Sequence, residues 1–149
     1  MLIHTYKKSK CISGCLLFND NSNYLYWENR SETKDEKEIL SFINKNYKNK
    51  KLNILHIGIG NSFIAKGINC AEKIDGISIA KNEIDHSKKF LLKNYNTYFL
   101  NKYSYNSFEE KHFNTYDIII DTNIKSFSCC QRAFEKLFEN YVSMINNNG

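Results

Sequence analysis

The sequence predicts an α/β domain built on a mainly parallel sheet. Three observations point there. From Leu52 onward, apolar runs of strand length alternate with segments of helical periodicity, the pattern of βαβ units. A two-glycine turn, Gly58-Ile59-Gly60, joins the first of these strands to a helix. The chain has 149 residues, 42% hydrophobic and 25% charged, which is ordinary for one globular domain with its own core.

Composition narrows the function classes. The longest purely aliphatic run is Ile118 to Ile120, far short of the ~20 residues that cross a bilayer. Met1 to Lys10 carries lysines with no apolar stretch after them long enough for a signal peptide, so a cytoplasmic protein without a membrane partner is expected. The five cysteines (Cys11, Cys15, Cys70, Cys129, Cys130) contain no CxxC pair, and the lone Cys11/Cys15 spacing has no second pair to complete it. Reduced thiols and no metal are therefore expected. The net charge is +5, from 19 Lys and 2 Arg against 16 acids. Nucleic-acid sites favour arginine, and these lysines are dispersed, so no nucleic-acid partner is expected. A homo-oligomer is left open.

In chain order, residues 1–30 hold two β-prone runs, Cys11 to Phe18 and Tyr24 to Glu28, around the turn-rich Asn19 to Asn23. They read as an N-terminal β-hairpin or flap. Trp27 either packs this segment on the domain or lines a substrate pocket. Residues 31–149 read as the main domain. Ser31 to Tyr47 is a helix capped by Thr33, with Asp35 and Glu36 in its first turn and Ile39, Leu40, Phe42, Ile43 and Tyr47 on its apolar face. Leu52 to Ile57 is a buried strand, Phe63 to Cys70 a short helix, and Lys73 to Ile79 a second strand. Asn82 to Tyr95 is an amphipathic helix burying Ile84, Phe90, Leu91 and Leu92. Thr97 to Leu100 is a third strand. Tyr116 to Asp121 is a fourth, its isoleucines buried on both faces. Phe127 to Ile145 is a long helix with Phe134, Leu137, Phe138, Tyr141 and Ile145 at helical spacing. Asn146 to Gly149 is a helix-terminating signal, where a doubly wound fold would add another strand, so the sheet is expected to be short or truncated on its C-terminal side.

The stretch Asn53 to Ser62 carries the most chemistry. Glycine permits a tight turn and lets the backbone approach a ligand without a Cβ clash. The helix start beyond offers amide N–H groups and the positive end of a dipole, which suits a carboxylate or a phosphate. A structural turn without a ligand is the plain alternative.

Ile54 to Ser62 resembles the first motif of class I S-adenosylmethionine-dependent methyltransferases, an apolar strand ending in acid-x-Gly-x-Gly. Ile74-Asp75-Gly76-Ile77-Ser78-Ile79 with Glu83-Ile84 is similar to the second motif. Tyr116-Asp117-Ile118-Ile119-Ile120-Asp121 resembles the strand that faces the cofactor in that family. The match covers residues 52–149. It implies a Rossmann-like sandwich, S-adenosylmethionine as cofactor and a small-molecule acceptor. It also implies a cofactor site made of His56, Gly58, Gly60, Asn61, Ser62, Ser78, Asn101, Tyr103 and Asp121. Two positions depart from the pattern. His56 stands where the first motif has an acid, and Ser78 where an acid holds the ribose hydroxyls. Loss of that charged contact costs about 1.5–3 kcal/mol, roughly ten- to a hundredfold in affinity. A dinucleotide site would need a third glycine where Phe63 stands, and no Walker lysine follows the turn.

The remaining candidates have two readings each. His56 is a core histidine or a ligand contact. Asp121, near Asn123, is a general base toward the substrate or a turn residue. Tyr103, after Asn101 and before Ser104, stacks on a base or covers the sheet. Cys129 and Cys130 are packed thiols or, near a helix start, reactive ones. Glu109, Glu110 and His112 read as a solvated loop. The sequence thus supports a methyltransferase with Asp121 as its one candidate catalytic group. A non-catalytic binding module that lost its acids, or another S-adenosylmethionine enzyme such as a lyase, remains open.

Overall fold

The computed structural model describes residues 28–103, 108–122, 124 and 131–147. The expected hairpin up to residue 27, with Trp27, Cys11 and Cys15, lies outside the described residues. So do Ser104, Asn123, Cys129, Cys130 and the terminal Asn148-Gly149.

Helix α1 spans Lys34–Asn46 and begins as the sequence predicts. The Thr33 hydroxyl accepts the Glu36 N–H at 3.2 Å, and the Glu36 carboxylate accepts the Thr33 N–H at 2.8 Å. This reciprocal capping box satisfies two otherwise orphaned donors. Strand β1 (Leu52–Ile57), helix α2 (Phe63–Gly67), strand β2 (Ala71–Ser78) and helix α3 (Lys81–Ser87) follow. Then come strand β3 (Tyr95–Phe99), strand β4 (Ile118–Asp121) and helix α4 (Gln131–Met144). The four strands form one sheet in the order β3-β2-β1-β4, and all neighbours are parallel.

Side chains alternate across the sheet. Leu52, Ile54, Ile74 and Ile120 pack on one face against Ile43 of α1 and Ile64 and Ala65 of α2. Leu55, Ile57 and Ile77 pack on the other with Tyr116 and Met144. In the described sheet β1 and β2 have strand neighbours on both edges, and β3 and β4 are the edges.

Several expectations give way to tertiary context. Helix α3 stops at Ser87, a 3-10 turn covers Lys88–Phe90, and Leu91 adopts φ +49°. Tyr95 belongs to β3, because it pairs with Ile74 of β2. Leu91, expected to be buried, is 86% exposed beyond the helix end. The isoleucines of β4 are not buried on both faces: Ile120 is buried, while Ile118 and Ile119 are half-buried because β4 is an edge of the described sheet. On α4, Ala133, Leu137 and Met144 are buried, whereas Phe138 faces outward. His112, read as solvated, is buried. Its Nδ1 meets the Tyr116 hydroxyl at 2.6 Å, and that hydroxyl donates to Asp75 at 2.7 Å.

Gly76 of β2 ties the sheet to the glycine turn. A Cβ at this position would lie 2.7 Å from the Ile59 side chain and 2.8 Å from the Tyr95 ring. We predict that Gly76→Ala destabilises the fold by about 1–3 kcal/mol, the cost of overpacking a filled site. Urea unfolding checks this: a midpoint equal to that of the parent would show that the turn accommodates the methyl group.

Candidate functional site

The chain builds β1, β2 and β3 outward in one direction, then returns to place β4 on the opposite side of β1. Strand order therefore reverses at β1, and ligands of open α/β sheets gather at the carboxyl ends beside such a reversal. The Gly58–Ser62 turn leaves β1 there, and Ile57 lies in register with both Ile77 and Asp121.

The turn is tight. Gly58 has φ +73°, Gly60 φ +51° and Ser62 φ +63°. Ser62 is buried in this left-handed conformation, with its hydroxyl 3.1 Å from the Tyr95 hydroxyl. Three backbone amides of the turn have acceptors within the protein. The Gly58 N–H donates to Ile77 O at 2.9 Å, and the Ser62 N–H to Ile59 O at 2.8 Å. The Gly60 N–H donates to the Glu83 carboxylate at 3.2 Å. Helix α2 has only five residues, so its dipole adds little. The anion grip that the motif suggests is thus not supplied by these three amides.

Glu83, which the sequence places with the second motif but not among the site residues, stands at the end of β2. It projects from the first turn of α3 and accepts a 2.6 Å bond from the Ser78 hydroxyl as well as the Gly60 N–H. Ser78 in turn accepts the Ala80 N–H at 2.9 Å. A carboxylate therefore stands at the end of β2 although the strand itself ends in serine. Burial pushes the Glu83 carboxyl up, opposed by the bonds from Ser78 and Gly60 and by the charge of Arg30. The sequence signal was present, since Glu83 follows Ser78 by five residues and opens a helix.

Arg30 lies on the same side. Its guanidinium donates to both Glu36 oxygens, at 2.6 and 2.7 Å. Its Nη2 is 3.6 Å from where a Cβ on Gly60 would sit. Burial raises the Glu36 carboxyl, but the bonds from Arg30 and Thr33 outweigh it and hold the group below its usual range. The buried Asn61 donates from its side chain to the Arg30 carbonyl at 3.4 Å.

On the opposite face, Asp121 is tightly held. The Lys102 ammonium donates to its two oxygens at 3.0 and 2.7 Å, and the Tyr141 hydroxyl donates at 2.6 Å. Burial lowers the Lys102 pKa, with Asp121 acting against it, and burial raises that of Tyr141. Asn101 accepts the Tyr103 N–H at 2.9 Å. Tyr103 is 1% exposed, packs on Ala133 and Leu137, and donates its hydroxyl to the Ile124 carbonyl. It serves as core beneath α4, not as an open stacking surface. Asp75 is fully buried at the middle of β2, where Lys73, Asn96 and Tyr116 satisfy it. Among the described residues no cluster of three or more His, Cys, Asp or Glu could hold a metal, and no helix is long and apolar enough to cross a membrane.

No family model matches this sequence, and no curated protein matches it. Solved structures do. The N-methyltransferase NodS from Bradyrhizobium japonicum, in complex with S-adenosylhomocysteine, superimposes with a TM-score of 0.63 at 11% identity, over 85% of this chain and 68% of that one. The cyclase SpnF gives 0.58 at 11% identity, over 91% of this chain and 48% of SpnF. A sugar N-methyltransferase from Streptoalloteichus gives 0.59 at 8% identity, over 98% and 57%. The fold is thus the Rossmann-like α/β sandwich of class I S-adenosylmethionine-dependent methyltransferases, with a four-stranded parallel sheet. The chain spans about half to two thirds of the length of these structures.

His56 is the penultimate residue of β1, beneath the turn. It is 2% exposed, and its Nδ1 has no hydrogen-bond partner among the described residues. Burial pushes its pKa down to about 4, against the pull of Glu36 and Asp121. The unfolded chain therefore binds this proton near pH 6.5 and the folded chain only near pH 4. Stability from neutral His56 is complete above the unfolded value and is lost as pH falls toward 4, by on the order of 3 kcal/mol. His86 and His112 shift the same way, so the informative quantity is a difference. We predict that His56→Leu flattens the pH dependence of unfolding free energy between about pH 6.5 and 4 by up to one proton. Parallel curves for parent and variant would contradict this.

Proposed function

We propose that this chain is the cofactor-binding core of an S-adenosylmethionine-dependent methyltransferase acting on a small molecule. The observation that carries the reading is the carboxylate of Glu83, bonded to Gly60 and Ser78 at the point where strand order reverses. A carboxylate held there can accept both hydroxyls of a ribose, the contact that Ser78 alone cannot make. The neighbours support the choice of ligand, since NodS was crystallised with S-adenosylhomocysteine and an amino pentose methyltransferase from Micromonospora echinaspora with S-adenosylmethionine. In this reading the glycine turn brings the ligand close to the backbone, and Ser78 positions Glu83. Of the other residues named from sequence, Asn61, Asn101 and Asp121 shape the carboxyl edge, and His56 and Tyr103 support it from within. Methyl transfer needs chiefly in-line positioning, because the sulfonium supplies an activated methyl group. We assign no general-base role to Asp121, whose oxygens already serve Lys102 and Tyr141.

A second reading, a binding module without transfer activity, is favoured by that same internal pairing of Asp121. Calorimetry with S-adenosylmethionine, S-adenosylhomocysteine and NAD tests the first step of both. We expect heat with the first two and none with NAD. Glu83→Gln should weaken S-adenosylhomocysteine about ten- to a hundredfold, the loss of a charge-assisted contact. Binding of neither adenosyl compound would overturn the proposal. Binding with no methyl transfer to any amine or hydroxyl acceptor in a panel would favour the module.

A further inference from the structure

Two short helices start at the carboxyl edge, and neither is capped by a side chain. Helix α2 has five residues, and its N-cap Ser62 makes no side-chain cap bond. Helix α3 has seven, with Ala80 in the corresponding place. Helices of this length are marginal alone and depend on contacts from outside. Their inner sides have such contacts, Ile64 and Ala65 in the core and Ile84 buried. On the outer side Lys66 joins them. Its ammonium lies 4.5 Å from the centroid of the Phe63 ring and 4.4 Å from that of Phe90. Phe63 opens α2 directly after the glycine turn, and Phe90 closes the 3-10 turn that continues α3, the helix that carries Glu83.

A cation over an aromatic face is attracted by the ring quadrupole, and Lys66 meets two rings at once. Lys73 and Lys102 rest on carboxylates, whereas Lys66 forms no ion pair among the described residues. Partial burial pushes its pKa down, opposed by the charge of Glu32, so more of it is free amine than in a fully solvated lysine. The residue is still exposed, and a reagent can reach it. We propose that Lys66 is an acylation site, and that its acylation opens the clamp between α2 and α3 and loosens the glycine turn from Glu83. The effect on ligand binding rests on the function proposed above. In the transfer step the free amine attacks the carbonyl carbon of an activated acyl donor, such as an acyl phosphate. The C–N bond forms, the C–O bond to phosphate breaks, phosphate leaves with the electron pair, and the nitrogen releases its proton to water. The amide product is neutral and offers the rings no cation. The 3.2 Å bond from the Gly60 N–H to Glu83 then holds the turn to α3 without the outer support.

The test uses the full chain with acetyl phosphate as the acyl probe. Peptide mass spectrometry should find Lys66 acetylated at least threefold faster than Lys34 and Lys81, exposed lysines beside carboxylates. Lys66→Gln imitates the acylated state, and Lys66→Arg keeps a cation for the rings. Lys66→Gln should bind S-adenosylhomocysteine about three- to tenfold more weakly than the parent, the worth of two ring contacts. Lys66→Arg should bind it within twofold of the parent. The amides of Phe63 to Gly67 should exchange hydrogen faster in Lys66→Gln than in the parent or in Lys66→Arg. Acetylation of Lys66 no faster than that of Lys34 and Lys81 overturns the site. Equal affinities in the parent and Lys66→Gln, or equal losses in Lys66→Gln and Lys66→Arg, overturn the clamp. A parent that binds no S-adenosylhomocysteine overturns the proposed function, and the labelling and exchange results then decide this inference on their own.

Discussion

The backbone bonds of β1, to β2 on one edge and β4 on the other, determine where the rest of the molecule can go. Because Ile57 lies opposite both Ile77 and Asp121, the chain has to leave the sheet between the ends of β2 and β4. The Gly58 N–H, bonded to Ile77 O, extends that ladder one residue into the turn. Ile59 then folds back over Gly76, where a side chain would block it. The two positive φ angles at glycine follow from this geometry, since a chain leaving the centre of a parallel sheet must reverse within a few residues to start the crossover.

The charges around this exit are buried and mutually satisfied. An ion taken out of water is stable only with partners, and here each has one. Arg30 and Glu36 form one pair, Lys102 and Asp121 another, and Glu83 rests on a hydroxyl and an amide. His56 lies between the influence of Glu36 and Asp121, and burial keeps it neutral. The result is a carboxyl edge with its polarity arranged before any ligand arrives, Glu83 and Arg30 on one face of the sheet and the Lys102–Asp121 pair on the other. Preorganisation of this kind lowers the cost of binding, because the protein groups need not be reoriented when the ligand enters.

Local signals made the strand series, the Thr33 cap and the glycine turn legible in the sequence, because each depends on residues a few positions apart. The errors share one physical cause. Periodicity counts apolar residues without knowing which neighbours exist, so it puts Leu91 inside, and it puts the isoleucines of β4 in a sheet interior that the edge position does not provide. His112 departs in the other direction. It sits in a polar stretch, yet it is drawn into the core by the Tyr116 hydroxyl and by aromatic packing from distant segments. Glu83 is the instructive case. Aligned along the strand, the site lacks its acid at Ser78; folded, the acid arrives from the next helix and uses that serine as its support.

The same substitution bears on what the site does. A serine in place of an acid reads as loss when a motif is taken one position at a time. Ser78 donating to Glu83, with the Ala80 amide fixing Ser78, makes a rigid carboxylate from three residues where the motif uses one. One of its oxygens, Oε2, accepts both the Gly60 and the Ser78 bond, which restricts the direction from which a ligand hydroxyl can approach. On the reading proposed here, Asp121, bound to Lys102 and Tyr141, stiffens the β4 end. Such a site orients its ligand and leaves the bond-making to the ligand's own reactive centre. That division of labour suits methyl transfer, in which the sulfonium already carries the driving force and alignment supplies the rate.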